Sequence, residues 1–179
     1  MKKISVKVIL AIGFSIFLVY LLLPNSTFPV PPPGSLQSGE KADTETPLRR
    51  AYFTNYAREE VLRYYKSELS RSRFLGIPLP TYRLNYPPED AFSLIRDQTR
   101  STFLEEIVNP LKESLFVNGF EPKDPKDAIF IENKFWRQKI TVKFVPSNMF
   151  IRIIINILGL MSLAFLLNSI SREVREFRK

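Results

Sequence analysis

Apolar residues fall into two unbroken runs, one near each end of the chain. Between them lie short stretches in which apolar and polar positions interleave. The second long run, Phe150–Ile170 (FIRIIINILGLMSLAFLLNSI), carries a single charge, Arg152. About 20 helical residues span the roughly 30 Å hydrocarbon layer of a bilayer, so this run predicts a transmembrane helix over residues 147–171. A buried core helix would give the same pattern, but the chain holds a second run, Ile4–Leu23, behind Met1-Lys2-Lys3. Lys7 lies one turn from its start, where a lysine stem can reach the headgroups. A secretory signal peptide begins in the same way. No small-x-small pair follows Leu23, and the chain continues Pro24-Asn25-Ser26-Thr27, so residues 1–23 are expected to be an uncleaved signal anchor.

The interleaved stretches give the region between. Residues 24–48 lack apolar periodicity. Phe28-Pro29-Val30-Pro31-Pro32-Pro33 favours polyproline II, and Gly34–Thr46 reads as flexible linker, so a Pro-rich spacer is expected here. Ala51–Phe53 suits a short strand. In AREEVLRYYKSELSRS, Val61, Leu62, Tyr65 and Leu69 recur at helical spacing, and Glu59 is placed to pair with Arg63 one turn on. Tyr82–Tyr86 alternates as a half-buried strand does, and stops at Pro87-Pro88.

A second, broken helix is then expected. Ala91, Phe92 and Ile95 begin it, and Phe103, Leu104, Ile107, Val108, Leu111 and Leu115 resume it. Pro110 would kink it, and Gly119 would end it at the left-handed cap position. Ala128–Ile131, a turn at Glu132-Asn133-Lys134 and Phe135–Val145 read as a hairpin, with Ile140, Val142 and Phe144 on one face. The fold class predicted is a membrane protein with two transmembrane α-helices flanking a small extracytoplasmic α+β domain. That domain, residues 49–146, would be a two-layer structure with a mostly antiparallel sheet and helices on one face.

Charge sharpens the placement. The net +8 would suggest nucleic acid, but its distribution does not. Residues 24–149 hold 18 Lys+Arg against 16 Asp+Glu, an ordinary mixed surface. The excess lies at Lys2, Lys3, Lys7 and Arg152 and in the basic tail 172–179. By the positive-inside rule both termini are expected in the cytoplasm and residues 24–148 outside, in a plasma membrane of bacterial type. The tail, with Val174 and Phe177 on the face of Ile170, would continue the helix along the inner leaflet.

Candidate chemistry narrows the function classes. The chain has no histidine and no cysteine, which excludes Ser-His-Asp and Cys-His nucleophiles, the usual zinc sites and thiol redox chemistry. Six glycines form no phosphate loop. Glu59-Glu60, Glu89-Asp90 and Glu105-Glu106 are adjacent pairs, and neighbours on a helix point about 100° apart, so none is arranged for paired acid–base work. No cofactor or metal is expected. A carboxylate-dependent hydrolase is the minor alternative.

One stretch has no apolar residue, Arg96–Thr102. Arg96, Gln98, Thr99, Arg100 and Thr102 are the candidate contacts to a partner or ligand, unless the stretch is simply a break between helices. In the second membrane run Asn156 and Gly159 share a face, which suits pairing of the two helices or of protomers. The expected role is a non-catalytic scaffold or complex subunit whose outer domain binds a protein or cell-envelope partner, with the bilayer and a protein partner or second copy as its associates. A sensory domain for a small ligand is the alternative.

Overall fold

Residues 6–71, 73–74, 76–86 and 103–177 are described by the structure, a computed structural model. In chain order they form α1 (Val6–Leu22), β1 (Leu36–Gln37), β2 (Arg49–Thr54), α2 (Arg58–Leu69), β3 (Arg73–Phe74), β4 (Ile77–Pro78) and β5 (Tyr82–Asn85). β6 (Phe103–Asn109), β7 (Glu113–Phe120), β8 (Ile129–Ile131), β9 (Lys134–Trp136), β10 (Gln138–Pro146) and α3 (Met149–Phe177) follow. The chain divides into a helical unit, Met1–Pro24 with Ser147–Lys179, and a sheet unit, Asn25–Pro146.

Among the described residues of the helical unit, one helix is long and apolar enough to cross a membrane. It is Met149–Ile170, 22 residues of α3, with almost none of its apolar stretch buried. The apolar part of α1, Val8–Leu22, is shorter. The hydroxyls of Ser15 and Ser162 donate to Ala11 O and Leu158 O one turn back, both at 2.9 Å, and so satisfy themselves within their own helices. Arg152 is 6% exposed, and its Nη1 donates to Leu23 O at 3.4 Å. A helix end leaves its last carbonyls without helical partners, and a cation there meets the negative end of the dipole.

In the sheet unit, six antiparallel strands lie in the order β1-β2-β10-β7-β6-β5. Helix α2 covers one face. Its Val61, Leu62, Tyr65 and Leu69 meet Tyr52, Phe103, Ile107, Leu115, Val117, Ile140, Val142 and Phe144, all buried. The two-layer α+β arrangement therefore stands for the described residues, with α2 as its one described α-helix.

The broken helix predicted across residues 103–119 is instead a hairpin. β6 pairs with β7 from Phe103↔Gly119 to Asn109↔Glu113. Asn109-Pro110-Leu111-Lys112 is the turn, closed by Lys112 N–H to Asn109 O at 3.1 Å. Pro110 pre-sets the first corner position, and Leu111 takes the positive φ of 60° required at the second. The helical reading failed because β6 is buried on nearly every residue, so its apolar positions do not alternate. Gly119 is a strand residue and not a helix cap. The ring of Phe103 occupies the space beside it: a Cβ would lie 2.1 Å from Phe103 Cε1 and 2.9 Å from Gln138 Oε1. The beginning of that helix, expected at Ala91, Phe92 and Ile95, lies outside the described residues.

The predicted C-terminal hairpin splits in two. β8 and β9 pair as a separate ribbon around Glu132-Asn133, with φ 53° and 56° as a type I′ turn requires. β10 enters the main sheet between β2 and β7, and does not pair with β8.

Residues 25–48 are not a free spacer, as the absence of periodicity suggested. Ser26 N–H and Oγ–H both donate to the buried Glu113 carboxylate, at 3.1 and 2.9 Å. Phe28 stands edge-on to Phe144 (6.3 Å) beneath the Arg50 guanidinium (4.8 Å), and the Tyr64 hydroxyl donates to Pro31 O at 3.0 Å. β1 extends the sheet beyond β2. Past it, Ser38 Oγ donates to Asp43 at 2.6 Å, and Lys139 holds both Asp43 (2.7 Å) and Glu40 (2.9 Å). Each anchor is a single side chain, which no periodic pattern announces.

Candidate functional site

Strand alternation sends Glu105 and Glu106 to opposite faces of β6, where the helical reading set them about 100° apart. Glu105 faces α2 and is fully buried. Arg58 of α2 donates to its Oε1, and Arg83 Nε of β5 lies 3.4 Å from Oε2. The two arginine side chains are 36% and 49% exposed, so the pairing joins a buried acid to two bases with one side in water. Asn85 lies at the same carboxylate. With its amide nitrogen turned inward it donates to Glu105 Oε1 at 3.0 Å and to Leu104 O at 3.1 Å. On the other face Glu106 accepts from the Tyr86 hydroxyl, and Tyr86 packs against Phe116.

Beside this cluster is an open groove of about 430 Å³, lined by Glu59, Leu62, Arg63 and Lys66 of α2, Arg83 of β5 and Ile107 of β6. Leu62 and Ile107, both buried, form an apolar floor. The spacing 59-62-63-66 places these α2 residues on one helical stripe. The expected Glu59–Arg63 ion pair is absent among the described residues; both instead border the groove. Neither Arg63 nor Lys66 has an ion-pair partner among the described residues.

A second exposed feature is the β8–β9 ribbon. Phe130 and Phe135 are cross-strand partners on its outer face, ring to ring at 5.6 Å and 61°, and they are 66% and 53% exposed. Its inner face is fixed. Trp136 is buried, its indole N–H donates to Ile131 O at 3.4 Å, and Lys134 Nζ lies 4.3 Å above its ring.

Burial, the largest influence, lowers the Lys139 pKa, but the hydrogen bonds its ammonium donates to Asp43 and Glu40 outweigh it and hold the pKa above its ordinary value. Burial alone dominates at Tyr65, whose phenol is pushed well above its usual range. Among the described residues no group of three or more carboxylates gathers as a metal site.

Of the residues proposed from sequence, Arg96, Gln98, Thr99, Arg100 and Thr102 lie outside the described residues. Asn156 is half-buried on α3, with its amide nitrogen enclosed and without a partner among the described residues. A Cβ at Gly159 would meet nothing within 4 Å, so the close approach expected there is not made within the described chain. The residues that sequence reasoning missed are Glu105, Arg58 and Arg83, drawn from three elements. The dipeptide Asn109-Pro110 was the available signal, because as a turn it makes residues 103–109 a strand and separates the two glutamates. Compared with known proteins, the chain matches no family, no curated protein and no solved structure.

Proposed function

We propose that this is a non-catalytic membrane-anchored protein whose sheet domain docks a protein partner, as a scaffold or complex subunit. The observation that carries the reading is the Phe130–Phe135 pair. Two large rings stand more than half exposed on a ribbon whose other face is locked by Trp136 and whose turn is a tight two-residue one. Rigid aromatic side chains bury much area on contact and lose little conformational entropy, which is why they recur as anchors of interfaces. The α3 helix supplies the membrane attachment.

The fuller placement has α1 and α3 both spanning, both termini cytoplasmic and residues 24–148 outside. It is supported by Arg152, which joins the end of α1 to the start of α3 as a hairpin of two spanning helices requires. Asn156 and Gly159, left without a partner in the described chain, are then available to another copy. A reporter fused after Lys179 is expected to read cytoplasmic. An external reading removes the second span.

Docking is tested by cross-linking full-length protein in its native membrane, then purifying it in mild detergent. A stoichiometric partner band should be recovered with the wild type, and lost with Phe130→Ser and Phe135→Ser at unchanged thermal stability. Equal recovery with the double variant would overturn the hairpin as the docking element.

A further inference from the structure

We infer that the groove between α2 and β5 is a binding site for a small anionic ligand carrying a phosphate or carboxylate group on an apolar body. This goes beyond partner docking and does not depend on it, since the groove and the ribbon share no residue.

The first argument is charge. Arg58, Arg63, Lys66 and Arg83 surround the groove and its adjoining cluster, against Glu59 and Glu105. The buried Glu105 carboxylate is already held by two guanidinium groups, so it cannot neutralise the cations at the rim. A surplus of two positive charges remains, which matches the roughly −1.5 to −2 of a phosphate monoester at neutral pH.

The second argument is preorganisation. Arg83 is fixed at Nε by Glu105, which leaves its other nitrogens to donate outward. Arg63 and Lys66, three residues apart, stand on the same helical face above it. Donors from a helix and a neighbouring strand thus converge on one opening, and neither Arg63 nor Lys66 has to leave an ion-pair partner among the described residues. Guanidinium and ammonium groups bind phosphate through charge-assisted hydrogen bonds, stronger than those between neutral groups.

The third argument is shape and polarity. The volume of about 430 Å³ falls among small-molecule sites, and Leu62 and Ile107 give it an apolar floor. An inorganic anion would occupy only part of that volume, and an alkyl or ring body attached to the anionic group would fill the remainder.

The test is calorimetric titration of full-length protein in detergent with two probes, inorganic phosphate and dihexanoyl phosphatidic acid, each against chloride at matched ionic strength. Saturable one-to-one binding of either probe is expected. Arg63→Gln and Lys66→Gln should each weaken it about tenfold, as loss of one charge-assisted hydrogen bond does. Both side chains are exposed on α2, so thermal melts of the variants should overlay the wild type. Tighter binding of the phosphatidic acid supports a lipid headgroup as the source, and comparable binding of phosphate supports a free ligand. Absence of binding by both probes overturns the site. So does binding that the double variant leaves unchanged.

Discussion

The ring of Phe103 presents its Cε1–Cζ edge to Gly119, its cross-strand partner, at the place where any side chain on residue 119 would have to stand. Strand glycines are costly because they leave the backbone loose and pack nothing. Here the neighbouring ring closes the gap and fills the corner of the core where β7 meets both β6 and β10. Gly119→Ala should therefore destabilise the domain by about 1–3 kcal/mol through overpacking, although alanine is otherwise the better strand residue. Pairing it with Phe103→Leu should recover part of the loss in a thermal melt. An unchanged melting temperature in the single variant would contradict the close contact.

Glu105 gives the second prediction. Replacing it by Gln removes the charge that Arg58 and Arg83 converge on, while the half-exposed guanidinium groups can regain water. The expected loss is about 2 kcal/mol, below that of breaking a fully buried pair. A double-mutant cycle with Arg58→Met should show the two losses to be less than additive. Full additivity would mean that the pair is not coupled.

The alkaline limb of stability follows from Tyr65 and Lys139. Burial raises the Tyr65 pKa in the folded state, so as pH climbs through about 10 the unfolded chain gives up its proton first. Stability present below that pH is then lost above it. Lys139 acts in the same direction: burial opposes its charge, but the bonds to Asp43 and Glu40 prevail, and their stabilisation disappears as pH rises through the raised value. Tyr65→Phe should leave the neutral melting temperature unchanged or higher, because its buried hydroxyl has no partner among the described residues. The same variant should move the alkaline loss upward. A steeper loss in Tyr65→Phe would contradict this account.

What the sequence made legible was the set of elements with one buried face. α2 was expected across AREEVLRYYKSELSRS and occupies Arg58–Leu69, and Ile140, Val142 and Phe144 of β10 point into the core as their alternation required. β6 was illegible because both of its faces are covered, so Phe103, Leu104, Ile107 and Val108 fall by chance at helical intervals. The cationic groove shares that fate. Arg63 and Lys66 were readable as a helical stripe, but Arg83 joins them only because β5 pairs with β6, a contact between distant segments. Ser38 shows the same limit in the other direction. Nothing in Gln37-Ser38-Gly39-Glu40 announces that the serine is buried and its hydroxyl bound to Asp43.

A Gly-Ser insertion at Ser38 is accordingly expected to lower thermal stability. It separates β1 from the Glu40 and Asp43 carboxylates that meet Lys139. Insertion into a free linker would cost only a few tenths of a kcal/mol. A loss above 1 kcal/mol distinguishes the two cases, and an unchanged melt would return residues 34–46 to the status of a tether.

The short pairing of β1 with β2 has a bearing on how a soluble fragment would behave. Cut at Arg49, the place where apolar periodicity begins, the fragment would lose Leu36 and Gln37 and leave the outer edge of β2 bare. An uncovered strand edge is a template for the same strand in another molecule. The short N-terminal strand thus acts as a guard against self-association. A fragment beginning at Asn25 keeps it, whereas one beginning at Arg49 invites edge-to-edge dimers that the intact domain does not form.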